Sequence, residues 1–154
     1  MTPPDPIPPP ASAGGCPPDF GPPISLAAAR KVMAAAEAEA ERRDWPMVIA
    51  ITDSTGHLVM LHKMDQAQLG SVAIAQAKAE TAVKFRRSTK AFQDVIAEGG
   101  AGLRVLSMSG ISAVEGGLPL TVEGEVVGAI GVSGMQSGQD GEIARAGVAA
   151  LSSR

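Results

Sequence analysis

The stretch GGLPLTVEGEVVGAIGVSG, residues 116–134, decides the fold of this chain. It holds two strand-like runs, Leu118–Val122 and Val126–Val132, which the segment Glu123-Gly124-Glu125 joins. A short glycine-containing polar segment between two β-branched runs is typical of a hairpin turn. Because hairpins build antiparallel sheets, we predict a sheet with a face that helices can cover.

An earlier pair of runs has the same character. Met47–Asp53 and Leu58–Met64 are short and β-branched, and Ser54-Thr55-Gly56-His57 lies between them. Gly56 supplies the positive-φ residue that such a short turn usually needs. The sequence therefore predicts a second hairpin.

Helices are predicted on either side of these hairpins, because apolar residues recur there at helical spacing behind capping side chains. The first helix is predicted from Ser25 to a break at Asp44-Trp45-Pro46, and the second begins with a cap at Ser71. The third is predicted from Ser88 or Thr89 to a stop at Gly99-Gly100, and the last is capped by Asp140. A further strand is expected at Val105–Met108. This order predicts an α/β fold of the α+β type, a central antiparallel sheet flanked by helices.

Composition narrows the function classes. The chain has 154 residues, which suits one domain, and its net charge of −3 provides no basic field for nucleic acid. It has no apolar run long enough to cross a membrane and no secretory signal pattern, so we expect a soluble protein, cytoplasmic rather than exported, with an exported mature form left open. Cys16 is the single cysteine, which excludes an intramolecular disulfide and a cysteine zinc site.

Residues 1–23 are rich in proline, with runs such as Pro8-Pro9-Pro10 and Pro22-Pro23. Proline removes backbone donors, so we predict an extended or disordered arm that is dispensable for folding. The ligand-binding domain is then expected to span residues 24–154.

Several short motifs stand in a specific order along residues 24–151. They are Asp53-x-x-Gly56-x-Leu58, Met64-Asp65-x-Ala67, Lys78-Ala79-x-Thr81-Ala82, Gly116-Gly117-x-Pro119-Leu120, and the run from Gly124 to Gly134 with Asp140 behind it. In this order and spacing the chain resembles the GlcG/HbpS family.

The resemblance implies a profilin-like domain that assembles into dimers or larger rings. Members of the family include haem-binding extracellular proteins, a domain fused to a corrinoid adenosyltransferase of propanediol use, and a protein of glycolate operons. Two positions depart from the pattern, because many relatives have glycine where this chain has Gln66 and Met135.

His62 is the better placed histidine for a haem iron, since a neutral imidazole nitrogen is a common axial donor. Met64 lies two residues further along the predicted strand, hence on the same face, and could add a thioether. The structural alternative is an exposed edge histidine beside a packed methionine. His57 is expected to be an ordinary turn residue, and the Cys16-Pro17 pair a chance occurrence in a proline-rich segment.

The loop Gly128–Gly138 is a second candidate, because glycines let backbone amides converge where a helix start favours an anion. Ser133 could add a hydroxyl beside Gly134. The alternative is that Gly128 and Gly131 let a helix pack closely on the strand.

Asp65 and Lys78 are weak candidates for acid/base catalysis, which would require the two side chains to approach within hydrogen-bond reach. Asp53 and Thr81 recur in the same motifs and could join them at one end of the sheet.

Three functional hypotheses follow. The leading one is a small-ligand binding protein, for haem or a related tetrapyrrole, that acts as carrier or sensor. The second is an enzyme or accessory protein of a catabolic operon that acts at the glycine loop, and the third is an oligomeric scaffold. A homo-oligomer is expected in each case, because the alanine-rich helix over residues 25–43 offers a small face to another helix.

Overall fold

The computed structural model describes residues 16–152. Its helices are α1 (Leu26–Arg43), α2 (Ser71–Phe85), α3 (Thr89–Glu98), a 3-10 helix (Gly100–Ser107) and α4 (Ser137–Ser152). Its strands are β1 (Val48–Asp53), β2 (Leu58–Lys63), β3 (Gly117–Val122) and β4 (Glu125–Ser133).

The four strands form one antiparallel sheet in the order β2-β1-β4-β3. Both predicted hairpins are confirmed. In the β3–β4 turn Glu123 and Gly124 both have positive φ, 51° and 81°, the backbone that a two-residue hairpin turn matching the twist of the strands requires. Pro119 lies in β3, an edge strand, where its missing N–H costs no ladder bond on the open side.

Helices cover both faces of the sheet. Alternate residues of β1 separate the two layers: Ile49 and Ile51 pack in the core with α1 and α4, whereas Val48 and Ala50 pack against α2. This confirms the predicted sheet flanked by helices, and it explains why β1 is apolar from Val48 to Ile51.

Close packing of α2 on the sheet depends on Gly131. A Cβ atom at this position of β4 would lie 2.1 Å from the carbonyl oxygen of Ala75 and 2.5 Å from the amide nitrogen of Ala79. The missing side chain therefore lets the helix backbone approach the strand, as the packing interpretation of this glycine predicts.

The helix starts were predicted with mixed success. Ser25 caps α1 by accepting a hydrogen bond from the amide of Ala28, and Ser88 caps α3. Ser71, in contrast, is the first residue of α2, after an N-cap at Gly70. The cap predicted at Asp140 is also wrong, because α4 begins three residues earlier and Asp140 is buried in its first turn.

The strand predicted at Val105–Met108 is wrong as well, since most of this segment belongs to the 3-10 helix. Gly99 and Gly100 both take positive φ, which turns the chain directly out of α3. Of the residues in this helix Val105 is buried, while Leu103 and Leu106 are exposed, so the run lacks the alternating burial of a strand.

Part of the expected N-terminal arm is attached to the sheet. The amide of Gly21 donates to the carbonyl of Val126 (2.8 Å), and the amide of Val126 donates back to Asp19 (2.8 Å). Arg86 donates to the carbonyl of Pro18 and lies 4.7 Å from the ring centroid of Phe20. Residues 1–15 lie outside the described part, and a domain boundary at residue 24 stays a prediction.

Candidate functional site

A cleft of about 520 Å³ opens between the C-terminal end of α1 and the end of β2. Two residues with left-handed backbone shape its rim: Asp44 (φ 56°) ends α1, and Gln66 (φ 65°) turns the chain after β2. Glycine is the residue that takes the backbone of Gln66 without strain. The cleft is lined by Glu37, Ala40, Glu41, Asp44, Trp45, Pro46, Lys63, Met64, Asp65 and Gln66.

The lining of the cleft is acidic. It contains four carboxylates and one ammonium group, that of Lys63. Arg43 lies close by, with its guanidinium 4.8 Å from the ring centroid of Trp45, but it already forms salt bridges with Glu39 and Glu142. The apolar part of the lining comes from Ala40, Trp45, Pro46 and Met64, and of these Trp45 and Met64 are partly buried against the core on the α1 side.

His62 is not itself a lining residue, but its contact Glu37 and its chain neighbour Lys63 both line the cleft. It is paired with Ile49 across the β1–β2 ladder, and its side chain is 45% exposed. Its Nδ1 lies 2.5 Å from Oε1 of Glu37, a residue of α1 that also lines the cleft. Within residues 16–152, Nε2 of His62 makes no hydrogen bond. The imidazole therefore has a hydrogen-bond partner at Nδ1, and its Nε2 is left for a ligand.

The expected common face of His62 and Met64 agrees with the register of the strands. The amide of Met64 donates to the carbonyl of Met47, and Met47 and Ile49 belong to the same core cluster on the α1 side. Met64 is partly buried and packs against that cluster, whereas His62 is exposed. Met64 therefore serves mainly as packing for the cleft floor.

Asp65 and Lys78 occupy different environments. Asp65 is exposed on the cleft rim, whereas Lys78 is buried under the glycine loop. Among the residues that the structure describes, no hydrogen bond or ion pair joins them. The catalytic role of this pair stays a prediction, and no contact between the two side chains supports it.

Lys78 instead forms a buried ion pair with Asp140. Its Nζ lies 2.9 Å from Oδ2 of Asp140 and donates to the carbonyl of Val132, also at 2.9 Å. The two side chains are 1% and 3% exposed. Burial raises the pKa of Asp140, and the hydrogen bond from Lys78 and the amides of Met135 and Gly134 offset part of that rise.

This ion pair changes the interpretation of the glycine loop. The amide of Met135 donates to Oδ1 of Asp140 (3.0 Å), so the chain supplies its own anion at the start of α4. The hydroxyl of Ser133 is buried and donates to Ser71. A Cβ atom at Gly134 would lie 2.5 Å from the carbonyl oxygen of Pro46. The binding role predicted for Ser133 and Gly134 stays untested, and this closed packing disfavours it.

The remaining candidates do not gather at one end of the sheet. Asp53 accepts from the amide and the hydroxyl of Thr55 in the β1–β2 turn, and these bonds lower its pKa against the effect of burial. His57 Nδ1 contacts the same hydroxyl at 2.7 Å. Thr81 is bonded within α2 and to the amide of Ser112. Cys16 is exposed.

Sequence reasoning missed Glu37 and Trp45. Glu37 looked like one of several charges on the solvent side of α1, and its partner is 25 residues away. Trp45, the single tryptophan, lies in the Asp44-Trp45-Pro46 break that ends the first predicted helix. Its uniqueness in a chain with 3% aromatic residues was the available signal.

Two absences apply to the described part of the chain. No group of three or more His, Cys, Asp or Glu side chains in residues 16–152 is arranged to hold a metal ion. No helix there is long and apolar enough to cross a membrane.

Comparison with known proteins identifies the family. The model of the HbpS-like family, described as haem degrading protein HbpS-like, matches residues 24–149. The chain belongs to this family. Protein GlcG of Escherichia coli K12 is 35% identical over 110 residues, which cover 71% of this chain and 81% of GlcG.

Solved structures of family members have the same fold. Protein ORFY of Klebsiella pneumoniae superposes with a TM-score of 0.80 at 29% identity, covering 88% of this chain and 95% of ORFY. A complex of PduOC with haem gives 0.76 at 31% identity, covering 83% and 94%. A double mutant of HbpS from Streptomyces reticuli gives 0.77 at 31% identity, covering 92% and 94%.

Proposed function

We propose that this family member binds haem or a related tetrapyrrole at His62 and the adjacent cleft, and that it acts as a carrier or sensor. The observation that carries the proposal is the setting of His62: its Nδ1 is bonded to Glu37, its Nε2 makes no hydrogen bond within residues 16–152, and Glu37 and Lys63 next to it line a cleft of about 520 Å³. Ligand pockets commonly have volumes of about 300–1,000 Å³. The PduOC structure, a neighbour in fold and sequence, was solved as a haem complex.

The residues present fit such a ligand in part. His62 would be the residue that holds the group, because an imidazole with one nitrogen free of hydrogen bonds is a suitable donor to the iron that haem would supply. Trp45 and Met64 provide apolar surface for a macrocycle. The carboxylates of the rim oppose the haem propionates, so Lys63 is the lining side chain suited to meet one of them.

The closed glycine loop favours the cleft as the binding site. Asp140 already occupies the amides at the start of α4, and Ser133 and Gly134 are buried. A substrate bound at the loop would first have to separate Lys78 from Asp140. That separation is costly, because each partner would become a buried charge without a counter-ion.

The test is a haemin titration followed by the Soret band. Wild type should give a sharp band with a saturable site, and His62→Ala should shift the band and lower the affinity, because the nitrogen donor is lost. Met64→Leu keeps the packing volume and should have a smaller effect. His57→Ala is the matched control for adsorption of haemin to surface histidines.

Two results would contradict the proposal. If wild type shows only the broad spectrum of loosely adsorbed haemin, tetrapyrrole binding is wrong for this protein. If His62→Ala and His57→Ala both bind like wild type, binding occurs but His62 is not the ligand.

A further inference from the structure

Glu37 and His62 form a contact between a helix and an edge strand. The Oε1–Nδ1 distance is 2.5 Å, and the side chains of Glu37 and His62 are 29% and 45% exposed. The helix side of the contact is held firmly, because the neighbouring residues Ala36 and Ala40 of α1 are fully buried. The strand side is held by the β1–β2 ladder. Both groups are therefore placed by regular structure rather than by a loop.

We propose that Glu37 is the positioning residue of His62, which fixes the protonation pattern of the imidazole and presents Nε2 as the donor atom. A carboxylate can only accept a hydrogen bond, so in the neutral imidazole the proton must lie on Nδ1. Nε2 then carries the free lone pair, the form that coordinates a metal. The inference rests on the proposed function for its ligand, but the protonation pattern itself belongs to the ligand-free protein.

The contact also affects how strongly the imidazole donates. A carboxylate bonded to the far nitrogen of a ligating histidine fixes the ring orientation and raises the basicity of the donor nitrogen. Loss of such a partner typically lowers metal affinity roughly 10- to 100-fold. Glu37 should therefore influence haemin binding without touching the iron.

His57 provides an internal reference. Its Nδ1 contacts the hydroxyl of Thr55 at 2.7 Å, and that hydroxyl donates to Asp53 at 2.6 Å. A hydroxyl that already donates to a carboxylate can only accept from the imidazole, so Nδ1 of His57 is also protonated. Because this arrangement lies in the β1–β2 turn and does not include Glu37, changes at Glu37 should leave it unaltered.

The first experiment is nitrogen-15 NMR of both imidazoles in the ligand-free protein, in mildly alkaline buffer. Wild type should show His62 protonated at Nδ1 and not at Nε2. Glu37→Ala should shift His62 toward the Nε2-protonated form that exposed imidazoles prefer in water, with His57 unchanged. Alanine is a strong helix former, so α1 should persist, which circular dichroism checks.

The second experiment is haemin titration of Glu37→Ala and Glu37→Gln. Both should bind more weakly than wild type, by roughly 10- to 100-fold for the alanine variant, and Glu41→Gln is the matched control for the loss of one negative charge from the same cleft.

The outcomes separate the inference from the proposed function. If His62 of wild type is protonated at Nε2, Glu37 does not position it, whatever haemin does. Loss of negative charge from the cleft should not by itself weaken haemin binding, because the carboxylates oppose the propionates. If Glu37→Ala binds haemin as tightly as Glu41→Gln, the positioning role is therefore wrong. If the NMR result is as expected and wild type binds no haemin, the proposed function fails and Glu37 has no haem ligand to position.

Discussion

Replacing Lys78 with methionine removes the charged end of a buried side chain while most of its stem volume remains. In wild type the ammonium group bonds Asp140 and the carbonyl of Val132, both at 2.9 Å. The variant leaves the buried Asp140 carboxylate with the amides of Met135 and Gly134 as its remaining partners. A buried negative charge then lacks its counter-ion.

The expected cost follows from this geometry. Removal of one partner of a buried ion pair lowers the free energy of unfolding by about 3–5 kcal/mol. A domain of this size is commonly stable by about 5–15 kcal/mol, so the variant should stay folded but be clearly destabilised.

The loss of unfolding free energy in Lys78→Met should also depend on pH. Burial already raises the pKa of Asp140 above its usual value of 3.8, and loss of Lys78 raises it further. A carboxyl whose pKa is higher in the folded state takes up its proton more readily there, so a falling pH relieves the unpaired charge. The difference between wild type and variant should be largest above the folded pKa and should shrink as the pH falls through it.

The assay is urea denaturation at several pH values, followed by the fluorescence of Trp45, the single tryptophan. Lys78→Met, Asp140→Asn and the double variant together measure the coupling of the pair, and the double variant should cost less than the sum of the single ones. A loss below about 1 kcal/mol for Lys78→Met at neutral pH, or additive costs, would refute the assignment of a strong buried ion pair.

Three further predictions concern the backbone, the N-terminal segment and assembly. Gln66→Gly should stabilise the protein by about 0.5–1 kcal/mol in the same denaturation assay, because Gln66 has φ 65°; a destabilised variant would contradict this. Deletion of residues 1–23 should cost about 2–3 kcal/mol more than deletion of residues 1–15, since the hydrogen bonds of Pro18, Asp19 and Gly21 are lost; equal melting temperatures would show that these contacts contribute nothing. Light scattering should report a dimer or larger, and a monomer at micromolar concentration would rule this out.

The structure changes where an oligomer interface can lie. The small face of α1, which was expected to meet another helix, is already buried within the chain, where Ala29, Ala36 and Ala40 are fully covered by the core that includes α4. An interface must therefore use another surface, and exposed apolar side chains such as Leu103, Leu106 and Met108 lie around the 3-10 helix.

The sequence alone determined the local elements that carry their own signals. Ser25 marked the start of α1, Gly56 marked the first hairpin turn, and the Glu123-Gly124 pair marked the second. Each of these depends on backbone preferences and hydrogen bonds within a few residues, so a single stretch of chain holds the required information. The ordered motifs identified the family for the same reason, since they are a property of the linear order.

Only the tertiary structure decided which of the candidate residues meet. Lys78 pairs with Asp140, 62 residues away, rather than with Asp65, and His62 meets Glu37 across α1 and β2. A carboxylate in a sequence shows neither its burial nor its partner, because both depend on how distant elements pack. The pattern predicted the right elements and several right residues, but the packing of α1, α2 and α4 on the sheet determined which charges became a buried pair and which histidine lies beside a cleft.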